Sequence, residues 1–386
     1  MVVTALPSPP EERRLALVPA AIERLVKLDH EVRLPAGYGA PLQLGDEALV
    51  AAGATIVTAD EARAAADIAL VVTPPKPAAL TGLKPGTFVV GFLDPFFALP
   101  TVRALAENEL RGMCVELMPR TTYAQKMDAL SSQASLAGYV AVVLAAQRID
   151  KVLPMMSTPA GTIAPARVFV VGVGVAGLQA IATAKRLGAR VDAYDTRPVV
   201  AEQVRSLGAR FVEFDLGGDQ GETDQGYARE LTAEQLARQR EQMAKVVAQS
   251  DVVVTTAQVF GRPAPRILDA AAIAGMKPGS VVVDLAASTG GNVEGTVAGE
   301  EVEVHGVTIV GRVDLPSTVA RDASEMLAAN VANLVEHAWD EEAKVLVLDP
   351  EHDELIAACL LTADGTVRDE RVASALEAAG DEEATA

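Results

Sequence analysis

The stretch RVFVVGVGVAG, residues 167–177, decides how this chain is read. A short β-forming run is followed at once by Gly172, Gly174 and Gly177 in G-x-G-x-x-G spacing. In such a turn the first glycine permits a tight exit from the strand. The second lets a pyrophosphate approach the backbone, and the third lets helix and strand pack closely. The helical stretch 178–187 would aim its positive end at the phosphates. Gly172, Gly174, Val175 and Gly177 are therefore the expected phosphate contacts. The bare triplet can also mark nothing more than a tight strand–helix turn. The residues that follow weigh against that reading. The helix stops at Gly188, and a second strand, RVDAY, runs straight into Asp195, 18 residues beyond Gly177. A carboxylate there can accept hydrogen bonds from adenosine ribose hydroxyls and would repel a 2′-phosphate, which favours NAD over NADP. Thr196 lies beside it. Arg197 points the other way, because an arginine near that position can accommodate a 2′-phosphate.

Working outward, aliphatic strands are expected at 167–173, 190–194, 210–214, 251–256, 280–285 and 307–310, the six that a complete dinucleotide-binding sheet uses. The strand ends Thr256-Ala257 and Leu285 fall on the carboxyl edge, where ligands bind in open α/β sheets. The N-terminal third of the chain repeats the alternation, with strands expected at 31–34, 68–72, 87–92 and 113–117 and a helix at 19–28. An Ala-rich helical segment, 131–147, separates the two regions, with Ser131 and Ser132 as candidate N-caps. A second helix is expected at 322–337. The C-terminal region reads as a hairpin, 344–348 and then 355–361, with a turn at Asp364-Gly365 and an unstructured tail at 380–386. The expected fold class is α/β: two Rossmann-like domains, the second inserted in the first, joined by long hinge helices. The boundaries fall at 1–130 plus 316–386 for the first domain and 131–315 for the second.

Bulk properties narrow the function. With 386 residues, a single core is too small an expectation. Fifty-two acidic against 33 basic residues give a formal charge of −19, which would repel a phosphate backbone and argues against nucleic acid. Cys114 and Cys359 stand far apart in apolar runs, unsuited to a metal site and in keeping with a reducing compartment. The N-terminus lacks the basic start and apolar stretch of a secretion signal, and no window offers about 18 uninterrupted apolar residues. A soluble, cytoplasmic protein is expected.

Several further runs carry a resemblance: VELMPR (115–120), Gln125, Asp128, SSQASLAGY (131–139), TPAGT (158–162), GVGVAGLQAIATAKRLGA (172–189), YDTR (194–197), MKPGSVVVDLA (276–286) and LPS (315–317). Together they resemble the first domain of proton-translocating transhydrogenase α subunits, over nearly the whole chain. Alanine dehydrogenases share the two-domain fold. The resemblance implies that Arg120, Gln125, Asp128 and Ser131 hold the nicotinamide end of NAD(H), with Arg120, Gln125 and Asp128 serving hydride transfer. Spacing alone would make these four a helix N-terminus with caps and one solvated arginine. The resemblance also implies that Tyr227, in the polar stretch 217–230, closes over bound nucleotide, and that the chain is a homodimer. NADP(H) would be bound by a partner subunit, and the membrane would be reached only through membrane-spanning partners.

Hydride passing directly between two nicotinamides needs no proton donor at the reacting carbon, only stacking and exclusion of water. An alanine dehydrogenase needs a proton-handling group beside its substrate, ordinarily a histidine. In the dehydrogenases that histidine follows the strand matching 87–93. Here Asp94 stands near the place, and His30, His305, His337 and His352 lie elsewhere. Arg14 and Lys76 do resemble the dehydrogenases' carboxylate binders. A third alternative, an NAD-sensing module without turnover, would not need the nicotinamide loop.

Overall fold

The computed structural model describes residues 1–215, 217 and 232–385. The chain divides into two compact units, one of Met1–Gln133 with Pro316–Ala386, the other Ala134–Leu315.

In the first unit, Val2–Ala5, Glu31–Pro35, Ala54–Val57, Ile68–Val71, Phe88–Gly91 and Arg111–Cys114 form a parallel sheet. Numbered along the chain these six lie in the order 3-2-1-4-5-6, the doubly wound arrangement. The hairpin Leu360–Ala363 and Thr366–Val367 extends it antiparallel beyond Arg111–Cys114. Two of the parallel strands, Val2–Ala5 and Ala54–Val57, escape the sequence reading. Val2–Ala5 is nevertheless the central strand, pairing on both sides with Glu31–Pro35 and Ile68–Val71. At four residues before a proline-rich run, it offers no periodicity to read.

The expected strand at 355–361 is overturned. Asp353 accepts the N–H groups of Leu355 and Ile356 and starts a helix, Glu354–Cys359, so the strand begins only at Leu360. The turn at Asp364-Gly365 is present, both residues having positive φ. The expected unstructured tail is also overturned, since a helix spans Glu370–Thr385. Against the sheet pack Pro19–Lys27, entered by proline at its first position, and Ala320–His337. The latter buries Leu327, Val331, Leu334 and Val335. Each such side chain contributes on the order of 1.5–3 kcal/mol on burial. Trp339, just beyond this helix, stacks on buried His30 with ring centroids 4.3 Å apart.

The second unit repeats the order. Arg167–Val171, Arg190–Tyr194, Arg210–Phe211, Val252–Thr255, Val281–Asp284 and Val307–Val310 run parallel as 3-2-1-4-5-6. An antiparallel strand, Glu301–Val304, closes the edge. Its outward Glu301 and Glu303 are exposed charges that discourage edge pairing. Val252–Thr255 and Val281–Asp284 are buried throughout, which explains their unbroken valine runs. A separate exposed hairpin pairs Met156–Thr158 with Gly161–Ile163.

The helix Ala129–Arg148 belongs to both units by sequence. It is long and apolar enough, by length and composition alone, to cross a membrane. Its polar residues have specific protein partners: Gln133 donates to the Ala323 carbonyl (3.0 Å), and Ser132 donates to Asn330 Oδ1 (2.7 Å). Further along, a Cβ on Gly138 would stand 2.1 Å from the Ala176 carbonyl oxygen, so only glycine permits that close helix–helix approach.

Candidate nucleotide-binding site

The doubly wound order places a topological switch point between Arg167–Val171 and Val252–Thr255, and the glycine turn leaves the first of these strands there. Gly172 has φ +94°, and a Cβ on it would meet Thr256 Oγ1 at 2.5 Å. A Cβ on Gly177 would stand 1.9 Å from the Gly172 carbonyl oxygen. These two glycines are demanded by the protein's own packing. Gly174 is different: its φ suits any residue, and no other described residue lies within 4 Å of an added Cβ. What it keeps free is open space in front of the helix Val175–Arg186, whose N-cap has no capping side chain. Exposed Gly174 and Val175 therefore border uncapped helix N–H groups, a cradle suited to an anionic phosphate.

The turn is fastened from both sides. The Val173 N–H donates to Asp195 Oδ2 (2.7 Å), and the Thr256 hydroxyl donates to the Gly172 carbonyl (3.0 Å). Asp195 also accepts the Arg197 N–H (2.9 Å) and a two-point pair from the Arg197 guanidinium, both at 3.0 Å. Burial by itself pushes this carboxyl up. The hydrogen bonds from Arg197 and from the Val173 and Arg197 N–H groups outweigh it and hold Asp195 below the ordinary carboxylate value. The strand end thus carries a fixed anion, with Thr196 exposed next to it. The Arg197 guanidinium, the feature that pointed towards a 2′-phosphate, is paired with this carboxylate.

On the other side of the switch point, the sequence marks Asp284-Leu285-Ala286 as a strand end on the carboxyl edge but gives no sign of Asn292 or of the role Asp284 has in organising the loop. Asp284 is fully buried at the end of its strand and accepts the hydroxyls of Thr255 and Thr296. It also accepts the N–H groups of Ala286, Asn292 and Val293. Asn292, likewise buried, takes the Ala257 N–H on Oδ1 (3.0 Å) and donates to the Ala257 carbonyl (2.8 Å) and the Pro265 carbonyl (2.9 Å). Thr256, Ala257 and Leu285 are thus held in place, with Leu285 N–H donating to Thr255 and its carbonyl accepting from Gln258. The only sequence signal was an aspartate closing a run of valines.

In the first unit, Arg120, Gln125, Asp128 and Ser131 lie on a loop and the turn that follows it. Ala124 and Met127 are fully buried, while Arg120 and Gln125 are exposed. Asp128 starts the helix Ala129–Arg148, accepting the Ser131 N–H (2.8 Å) and hydroxyl (2.5 Å). The expectation that Ser131 and Ser132 are the N-caps is therefore corrected, since the capping carboxylate lies earlier and Ser131 is its donor. Tyr227 lies outside the described residues.

The chain matches known proteins over nearly its whole length. Residues 7–137 match the alanine dehydrogenase/PNT N-terminal domain, and residues 141–370 match the alanine dehydrogenase/PNT C-terminal domain. The chain belongs to the alanine dehydrogenase/PNT family. Within that family it is 43% identical over 365 residues to the first portion of the NAD(P) transhydrogenase alpha subunit of Rhodospirillum rubrum, covering 93% of this chain and 95% of the relative. Alanine dehydrogenase of Mycobacterium tuberculosis is 27% identical over 377 residues, covering 95% and 94%. Among solved structures, a transhydrogenase from Sinorhizobium meliloti superposes with TM-score 0.82 at 40% identity, covering 96% of this chain and all of that one. The chain is thus a homologue of the transhydrogenase α subunit, an NAD(P)+ transhydrogenase component.

The surroundings of Asp94, the residue expected near the place of the dehydrogenases' histidine, are defined. Asp94 follows the strand Phe88–Gly91, half-buried and with φ +43°, and burial raises its carboxyl above the ordinary value. Its N–H donates to half-buried Glu116 (2.7 Å). The histidines are all elsewhere. His337 and His352 pair with Asp353 and Asp349, His305 occupies a strand turn, and His30 lies under Trp339. Arg14 is held by Glu12 (2.9 and 2.7 Å) and by Gln133 (2.8 Å), while Lys76 is exposed.

The contrast between the glycines gives a direct test of the cradle. Gly174→Ala should fold with an unchanged melting temperature yet weaken NADH binding by about tenfold or more, the added methyl occupying ligand space. Calorimetric titration beside thermal melting checks this, and parental affinity would show that no phosphate approaches Gly174.

Proposed function

We propose that this chain is the NAD(H)-binding subunit of a proton-translocating transhydrogenase. In this reading it passes hydride directly between NAD(H) bound here and NADP(H) on a partner subunit. Membrane-spanning partners couple the exchange to proton translocation, and the chain reaches the cytoplasmic face of the membrane as a homodimer through them. The observation that carries the reading is the glycine turn locked between Asp195 and Thr256, with open space kept before an uncapped helix. The transhydrogenase relatives at 40% identity and above supply the reaction class.

When bound, NAD(H) supplies the hydride chemistry, and the protein's contribution is binding and orientation. Gly172, Gly174, Val175 and Gly177 would receive the pyrophosphate, Asp195 and Thr196 the adenosine ribose, and Thr256, Ala257 and Leu285 the remaining sheet edge. Arg120, Gln125, Asp128 and Ser131 would hold the nicotinamide end, with Tyr227 closing over it. No side chain need move a proton at the reacting carbon, which suits a site with Asp94 where the dehydrogenase relatives carry their histidine.

The test mixes the purified chain with NADH, an oxidised NAD analogue and a purified NADP(H)-binding transhydrogenase component, following reduction of the analogue. Turnover that requires both proteins and traces of NADP(H) is expected. NADH binding without exchange would leave a nucleotide sensor. Alanine oxidation with NAD+ by this chain alone would place it with the dehydrogenases.

A further inference from the structure

The turn that carries Gln125 is fixed by a residue stripe far away in sequence. Asn330 and Asn333 both donate to one acceptor, the Lys126 carbonyl, at 2.9 and 2.6 Å. A carbonyl has two lone pairs, and here each meets an amide donor, so the peptide following Lys126 has a fixed orientation as well as a fixed place. Further on, the Tyr123 hydroxyl lies 3.4 Å from His337 Nδ1, and His337 Nε2 lies 2.7 Å from Asp353 Oδ2. Asn330, Asn333 and His337 are spaced i, i+3, i+7 on the helix Ala320–His337 and so share one face. Leu327, Val331, Leu334 and Val335 of the same helix go into the core.

The grip is applied to a turn whose other backbone hydrogen bonds, Met127 N–H to the Ala124 carbonyl and Asp128 N–H to the Gln125 carbonyl, are local to it. Gln125–Met127 is a single 3-10 turn, pinned by the buried side chains of Ala124 and Met127 on either side of Gln125. Apolar burial sets depth but leaves rotation about the buried pair cheap. Two hydrogen bonds to the Lys126 carbonyl remove that freedom and aim the exposed Gln125 side chain.

We propose that Asn333, with Asn330, is a positioning residue for hydride transfer, setting the direction of Gln125 through the Lys126 carbonyl. The inference rests on the reading that Gln125 serves the nicotinamide. Displacement of a reacting group by about 1 Å can cost on the order of 100-fold in rate. In the proposed reading affinity should depend chiefly on the pyrophosphate and adenosine contacts at the glycine turn and Asp195.

Asn333 is partly exposed, so Asn333→Leu removes the donor without opening a core cavity. With saturating nucleotides and the NADP(H)-binding component, Asn333→Leu should transfer hydride roughly 10- to 100-fold more slowly than the parent chain. Its NADH dissociation constant should stay within about twofold of parental. Asn333→Gln, which keeps an amide donor, should recover most of the lost rate. Parental transfer by Asn333→Leu would overturn the proposal, as would a proportional loss of NADH binding. So would Asn333→Gln as slow as Asn333→Leu, because the donor would then be irrelevant. If the parent chain itself exchanges no hydride, the transhydrogenase reading falls, an outcome distinct from any of these.

Discussion

Asp284→Leu is expected to destabilise the nucleotide-binding unit by roughly 3–5 kcal/mol, a large fraction of the stability of such a unit. The carboxylate is fully buried and receives the hydroxyls of Thr255 and Thr296 and the N–H groups of Ala286, Asn292 and Val293. Leucine fills a similar volume but accepts nothing, so donors that are mostly buried lose their partner. Each such loss costs about 1–3 kcal/mol, and because the donors share one site the costs do not simply add. Urea unfolding should show the midpoint falling with little change in slope. A loss below about 1 kcal/mol would mean that the loop reorganises to satisfy its own donors. NADH binding should weaken in the surviving folded fraction too, because Asn292 ties this centre to both backbone groups of Ala257.

Asp195→Ala should weaken NADH binding by about 10- to 100-fold and reduce discrimination against NADPH. The size of the loss follows from hydrogen bonds to a charged group, each contributing about 1.5–3 kcal/mol. Two separate losses combine: an acceptor for ribose hydroxyls, and the anchor that holds the Val173 N–H in the glycine turn. The change in preference has its own cause. Removing the carboxylate takes away the fixed negative charge that repels a 2′-phosphate and leaves the Arg197 guanidinium, now paired with Asp195 at 3.0 Å, as the nearby charge. The double variant Asp195→Ala/Arg197→Ala should therefore bind NADH poorly without gaining NADPH. Titrations of the three proteins with both nucleotides decide the matter. An unchanged preference in the single variant would remove Asp195 from selectivity.

The sequence made the glycine turn legible because its requirements are local. A positive φ at Gly172 and a 1.9 Å approach at Gly177 must be met by glycine, wherever the rest of the chain goes. Asp195 was legible for a similar reason, since a strand that follows the turn and its helix must end there. The sheet order followed from alternation of strand and helix, although Val2–Ala5 and Ala54–Val57 were too short to register. The helix Glu354–Cys359 was misread as strand because its aliphatic run fits either period, and the deciding cap is the single carboxylate of Asp353. Asp284 was legible only as a strand end on the ligand-binding edge, and Asn292 was not legible at all. An aspartate after three valines reads as the polar end of a strand, and nothing local shows that eight residues later the chain returns to bury it. The same holds for Asn330 and Asn333, whose acceptor lies 204 and 207 residues away. Positions set by backbone geometry are written in the sequence, while positions set by tertiary return are not.

The stacking of Trp339 on His30 has a spectroscopic consequence. Trp339 is the sole tryptophan of the chain, and it sits in the unit that contains both termini. Indole emission consequently reports on the packing around Trp339 in that unit. Burial holds the His30 imidazole down at about 4, so near neutrality the ring 4.3 Å away carries no charge that would quench the indole. Emission against urea therefore follows one unit, and far-ultraviolet dichroism follows both. The gap between the two curves reads how tightly the two units are thermodynamically coupled, without any label being attached.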